Sequence, residues 1–295
     1  MRHISITLRV LFPSWGARWQ AIRIIAALAT IAAPMSLALV ASPPAMAASA
    51  ATCTQVYFYG VHGLNEGSSG KAPGTAHWGM QVNAVWNALV SNLDPGAATA
   101  KSADYPESVV DFPQPWGPGL PKGPSPWSTL LYQILSLPSA TNAGAAALAS
   151  QMWDRYFTCP DASLVVAGYS QGAWVIDKAL RMLSADGPAG KAVLGNVKGV
   201  FLMGDPAWAN STPYQQGVAS KFDEGYSNAP AYLANGIPKS RFFSICAGAD
   251  PICNWSGIGG LEHNISVHIN AYTSGNPSPA ADGGNWLAAQ LGSVG

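Results

Sequence analysis

A serine that attacks a carbonyl needs a sharp turn that exposes its hydroxyl, a base to take its proton and an acid to hold that base. Gly168-Tyr169-Ser170-Gln171-Gly172 offers the first of these. In a Gly-x-Ser-x-Gly turn between a strand and a helix, the flanking glycines leave room for the reversal and the serine hydroxyl stands clear. The helix that follows favours negative charge at its start, so the Gln171 amide can face a developing oxyanion. Five such residues also fit an ordinary glycine-rich turn, and the flanks decide between the two. An apolar, largely β-branched run from Leu164 to Ala167 precedes the turn, and Val175, Ile176, Ala179, Leu180 and Leu183 recur at helical spacing behind it.

The partners of Ser170 are sought downstream, in the order Ser, Asp, His. Histidine is scarce: His3 lies at the N-terminus, His62 and His77 precede the turn, and His263 and His268 remain as candidate bases. For the acid, Asp250 stands in Cys246-Ala-Gly-Ala-Asp250-Pro-Ile-Cys253, where a small loop after a strand would fix a carboxylate. Asp205, in Met203-Gly-Asp-Pro206, is the second candidate, although an aspartate in such a turn more often caps the turn itself. A metal-hydrolase reading of His62, Glu66 and His77 fails on spacing, because the His-Glu-x-x-His pair is missing. With no Cys-x-x-Cys pair and no clustered histidines, neither a metal nor another cofactor is expected.

The elements that must carry these residues read as alternating strands and helices. Strands are predicted over Val56 to Val61, before Ser170, over Val197 to Met203 and over Phe242 to Cys246. Helices are predicted over His77 to Leu93, over Gln133 to Tyr156 with Ala143 to Met152 the clearest part, behind Ser170, and over Asn285 to Leu291. Asp111 to Trp127, rich in Pro, Gly and Trp, reads as loop. This alternation predicts an α/β fold with a parallel sheet covered on both faces, in one domain without internal repeats.

The N-terminus has a different character. Arg2, Arg9, Arg18 and Arg23 precede a mostly apolar run from Ile24 to Val40, the first acidic residue is Glu66, and Ala45-Met46-Ala47 fits a small-x-small cleavage site. Residues 1–47 are read as a secretory signal peptide rather than an uncleaved anchor, since Pro34 and the many alanines suit export and cleavage. The remaining 48–295, or 295 − 47 = 248 residues, suffice for one sizeable core. The whole chain balances 15 Lys+Arg against 15 Asp+Glu; without the four leader arginines it carries 11 against 15, a net charge of about −4. Such a charge offers no footprint for nucleic acid. Cys53, Cys159, Cys246 and Cys253 all fall in the exported part, and an even number in an oxidising compartment suggests two disulfides. Of the three possible pairings, the short separation of Cys246 and Cys253 favours 246–253 with 53–159.

The Gly-Tyr-Ser-Gln-Gly turn, Cys53, Cys159 shortly before the turn and the Cys-x-x-x-Asp-Pro-Ile-Cys loop together resemble the cutinase family, most closely its actinobacterial secreted esterases. The resemblance implies a single-domain, open α/β-hydrolase sandwich, the same two disulfides, and a Ser170, Asp250, His268 triad. It also implies hydrolysis of fatty-acyl or polyester substrates without a cofactor. Val267-His268-Ile-Asn-Ala-Tyr272 resembles the family's His-x-x-Tyr stretch, one residue longer here, and selects His268 over His263. The chain departs from the family after the first strand, where Arg-Gly-Ser-Thr-Glu is replaced by His62-Gly63-Leu64-Asn65-Glu66. Leu64 offers a backbone amide but no hydroxyl, so the expected oxyanion hole consists of the Leu64 and Gln171 amides, with Asn65 a possible substitute donor. Trp116, Trp127 and the stretch from Trp255 to Leu261 are candidates for an apolar rim. The expected protein is a secreted or cell-envelope monomer that touches a lipid interface transiently. The alternatives are a catalytically weakened binding protein, or a phospholipase, peptidase or mycolic-ester hydrolase on the same fold.

Overall fold

A computed structural model describes residues 53–64, 78–102, 126–208, 237–254 and 258–292, with backbone alone over 126–137 and 258–263. By its internal contacts the chain divides into a unit Met1–Ser49 and a unit Ala50–Gly295, and every element below belongs to the second. The leader read over 1–47, Asn65, Glu66, His77 and Trp116 lie outside the described residues.

Among the described residues five parallel strands form one sheet: β1 (Val56–Val61), β2 (Ala98–Ser102), β3 (Ser163–Tyr169), β4 (Val197–Met203) and β5 (Phe242–Ile245), in the order β2-β1-β3-β4-β5. The central strands are nearly continuous apolar runs because both faces of the sheet are covered. Alternate side chains divide between two cores. Tyr57, Tyr59 and Val61 of β1 join Leu164, Val166, Val200 and Leu202 on one face, while Val56 and Phe58 join Val165, Ala167, Phe201 and Met203 on the other.

Among the described residues six helices accompany the sheet: α1 (Gly79–Val90), α2 (Pro126–Thr158), α3 (Gln171–Ala185), α4 (Gly187–Gly195), α5 (Ile258–Asn270) and α6 (Pro279–Leu291). Helices α2 and α3 pack together over the first core, and α1 and α6 over the second. Three elements go beyond the expected pattern. Strand β2 is an edge strand whose residues alternate between half-buried and exposed, so Ala98-Thr-Ala-Lys-Ser102 needs no apolar run. Helix α4 is short and opens on Gly187-Pro188, and α5 spans the glycine-bearing stretch before His268. Trp127, assigned to a loop in the sequence, lies in the first turn of α2, where Pro126 takes a position that needs no amide hydrogen. The closing helix starts at Pro279, earlier than its apolar pattern, because the Ser278 hydroxyl accepts from the Ala281 amide at 3.3 Å.

Disulfides join Cys53 to Cys159 and Cys246 to Cys253. The first ties the approach to β1 to the residue after α2 across 106 positions, and the second closes the loop after β5 across 7.

Candidate active site

The turn after β3 is as tight as its sequence requires. Ser170 has φ 54° and ψ −124°, the one non-glycine residue with positive φ among the described residues. Such a conformation costs about 1–3 kcal/mol and persists only where the surroundings impose it. Its amide donates to the Met203 carbonyl at 2.9 Å, fixing the turn to the end of β4. A Cβ at Gly172 would lie 2.2 Å from the Val61 carbonyl oxygen and 2.4 Å from that of His62, so the end of β1 runs directly against the start of α3. The segment carrying Leu64 is thereby brought beside the first turn of that helix, whose leading amides have no partner within the helix. Gln171 is buried, and its side chain donates to the Thr141 hydroxyl at 3.4 Å.

Ser170, His268 and Asp250 meet at the C-terminal edge of the sheet, where open α/β folds place ligands. Ser170 Oγ and His268 Nε2 are 2.8 Å apart, and His268 Nδ1 and Asp250 Oδ2 are 2.8 Å apart. An ionised Asp250 can only accept, so Nδ1–H donates to it and Nε2 is free to accept the serine proton. His268 is 5% exposed and Asp250 0%. Burial pushes the Asp250 carboxyl upward, but the charge of His268 and hydrogen bonds from His268, Tyr272 and the Ile252 amide outweigh it and hold the group below the usual carboxylate range. Gly204, at φ +58°, closes the floor of the site: a Cβ there would lie 2.8 Å from His268 Cε1 and 3.0 Å from Asp250 Oδ2.

Asp205 is not part of this group. Its Oδ1 accepts from the Ala207 amide at 2.8 Å, capping its own turn. His62 is buried, with Nδ1 2.7 Å from the Gly63 carbonyl oxygen. The backbone of His263 lies in α5 five residues before His268. Residues 255–257 lie outside the described residues, and 258–261 open α5. Among the described residues no group of three or more His, Cys, Asp and Glu side chains is arranged to hold a metal ion, and no helix is long and apolar enough to cross a membrane.

Two tyrosines complete the surroundings of the histidine. Tyr169, within the turn itself, donates its hydroxyl to the His268 carbonyl at 2.8 Å and stacks on the imidazole. Tyr272 donates to Asp250 Oδ2 at 2.5 Å. Both stand in the motifs singled out in the sequence, but their hydroxyl partners lie 99 and 22 positions away and leave no local signal.

Comparison with known proteins agrees with this architecture. An acetylxylan esterase of Hypocrea jecorina is 33% identical over 127 residues, covering 40% of this chain and 39% of its own. Carboxylesterase Culp1 of Mycobacterium tuberculosis is 34% identical over 124 residues, covering 42% and 46%. The chain therefore spans less than half the length of either relative. The structure of the catalytic core domain of acetyl xylan esterase from Trichoderma reesei is similar with a TM-score of 0.55 at 22% identity, covering 82% of this chain and 98% of that one. A cutinase-like protein from Cryptococcus sp. reaches a TM-score of 0.52 at 16% identity, covering 82% and 97%. These structures share the open α/β fold. The model of the family described as Cutinase matches residues 131–290, a stretch that holds Ser170, Asp250 and His268, and the chain belongs to that family.

Proposed function

We propose that this protein is an exported serine esterase that hydrolyses carboxylic esters through an acyl-enzyme on Ser170. The observation that carries the reading is the unbroken chain of hydrogen bonds from Ser170 Oγ through His268 to the buried Asp250. In the first half-reaction His268 Nε2 takes the Ser170 proton as Oγ attacks the ester carbonyl, and the imidazolium returns a proton to the departing alcohol. Asp250 stays ionised, holding the imidazole in its tautomer and balancing its charge. In the second half water attacks the acyl-enzyme, with the same histidine as base. The amides of Gln171 and Leu64 receive the oxyanion, the first with the support of the α3 dipole.

The substrate class is an ester with an apolar acyl part, fatty-acyl or polyester. Met80 is 64% exposed and Ile269 38%, and the side-chain amide of Gln81 donates to the Ile269 carbonyl at 2.8 Å, so two exposed apolar residues stand where the start of α1 meets the end of α5. Exposed apolar side chains suit an acyl chain and a transient contact with a lipid interface. The protein acts as a monomer without a cofactor. Export, after removal of 1–47, is supported by two disulfides, which persist in oxidising compartments.

The test is labelling of the oxidised chain with a fluorophosphonate, followed by release of p-nitrophenol from short and long acyl esters. Wild-type protein is expected to be labelled and to turn over, and Ser170→Ala to lose both by about a thousandfold or more. A folded wild-type chain that resists labelling would refute the esterase reading and leave a binding role for this fold.

A further inference from the structure

The acid of the proposed triad has a second donor on the oxygen that faces the base. Asp250 Oδ2 accepts from His268 Nδ1 at 2.8 Å and from the Tyr272 hydroxyl at 2.5 Å, while Oδ1 accepts from the Ile252 amide at 2.8 Å. Tyr272 is itself held from several sides. Its hydroxyl accepts from the Ala247 amide at 3.1 Å, and its ring lies edge-on to Tyr169 and His268, with centroids 5.8 Å and 6.4 Å away. It stands two positions after the end of α5, which carries His268, while Ala247 and Asp250 belong to the loop closed by Cys246–Cys253. One phenol thus joins the helix that carries the base to the loop that carries the acid.

We propose that Tyr272 is a positioning residue, whose hydroxyl aims Asp250 Oδ2 at His268 Nδ1 and draws off part of the carboxylate charge. The inference rests on the triad reading above. Burial and the neighbouring charge of Asp250 hold the Tyr272 phenol well above its usual range, so it remains a donor wherever the enzyme works. A phenylalanine would fill the same volume and keep the edge-on packing, but it would release the carboxylate to turn and would leave its full charge on His268. Protonated His268 would then be favoured, and a higher pH would be needed to obtain the neutral base. Positioning therefore predicts a moved pH profile, which loss of packing alone does not.

The experiment compares the full oxidised chain as wild type, Ser170→Ala, Tyr272→Phe, and with 3-fluorotyrosine in place of Tyr272, a variant that keeps the ring and strengthens the donor. Tyr272→Phe is expected to lower kcat about tenfold with KM within about twofold, and to move the acid limb of kcat/KM up by roughly half a pH unit. The fluorinated variant is expected to move the same limb down. The far-downfield proton resonance of the His268 Nδ1–H bond should shift in opposite directions in the two variants, a readout independent of turnover. An acid limb and a resonance unmoved in both folded variants, with labelling still dependent on Ser170, would overturn the role of Tyr272 alone. Turnover that survives Ser170→Ala would overturn the triad reading and the positioning role with it.

Discussion

Tyr169 and His268 are joined twice: the tyrosine hydroxyl donates to the histidine carbonyl at 2.8 Å, and the two rings stack with centroids 4.8 Å apart. The residue that precedes Ser170 in the chain therefore holds His268 through both its backbone and its ring. His268 lies in the last turn of α5, where carbonyl groups lack partners within the helix, and the Tyr169 hydroxyl supplies one.

Tyr169→Phe keeps the stack and removes the hydroxyl, so it should cost about 1 kcal/mol of stability and leave kcat within a few-fold. Tyr169→Ala removes the wall against which the imidazole rests; it should cost about 3 kcal/mol or more and lower kcat by at least about tenfold. Urea denaturation and ester turnover on the two variants check the order. Equal kcat in both would mean that the stack does not orient the base.

The two disulfides should separate stability from activity. Cys53–Cys159 closes a separation of 106 residues far from Ser170, so replacing both cysteines with serine should cost on the order of 4–5 kcal/mol with little change in kcat for the folded fraction. Cys246–Cys253 closes only 7, and its entropic contribution is about 2–3 kcal/mol, but the loop it closes holds Asp250 and the Ala247 amide that anchors Tyr272. Its removal should cost less stability and more turnover than removal of the first. Melting curves and kcat measured on the two double variants decide the point.

Which parts of this arrangement a sequence can carry follows from the range of the interactions. The turn around Ser170 is legible because its constraint is local: Gly172 must be bare where Val61 and His62 pass, and the strand before it and the helix after it have their own periodicities. The central strands are legible because burial on both faces demands continuous apolar runs. Strand β2 is not, since an edge strand that alternates between half-buried and exposed can be written with Ala, Thr, Lys and Ser. Helix α5 is hidden by Gly259 and Gly260, which lower helix propensity in its first turn. The order of Ser170, Asp250 and His268 suggests a triad, whereas the hydroxyls of Tyr169 and Tyr272 acquire their partners through the folded chain alone.

Gly204 gives a steric test of the site from its floor. At φ +58° alanine is strained, and its methyl would press on His268 Cε1 at 2.8 Å and on Asp250 Oδ2 at 3.0 Å. On the proposed mechanism, Gly204→Ala should destabilise the fold by about 1–2 kcal/mol and lower kcat by more than about tenfold with little effect on KM, because it displaces His268 and not the substrate. Steady-state kinetics with a short ester read this directly, and a normal kcat would show that the pair yields to the methyl without losing alignment.

Asp205 offers a test by pH. It is buried, and burial first, then the charge of Asp177, push its carboxyl up to about 8 against the opposing effects of the Ala207 amide and Arg181. The folded protein thus keeps a proton on Asp205 that the unfolded chain releases near pH 4. An acid raised in this way contributes stability that is complete below its unfolded value and is lost as pH rises toward and through about 8. Wild-type protein should therefore lose several degrees of Tm between about pH 5 and about pH 8. Asp205→Asn keeps an oxygen for the Ala207 amide and cannot ionise beside Asp177, which is itself bound by Arg181 at 2.9 Å. The variant should melt near the wild type at the acid end and above it at the alkaline end. Parallel curves for the two proteins would mean that Asp205 is ionised in the folded chain across that range.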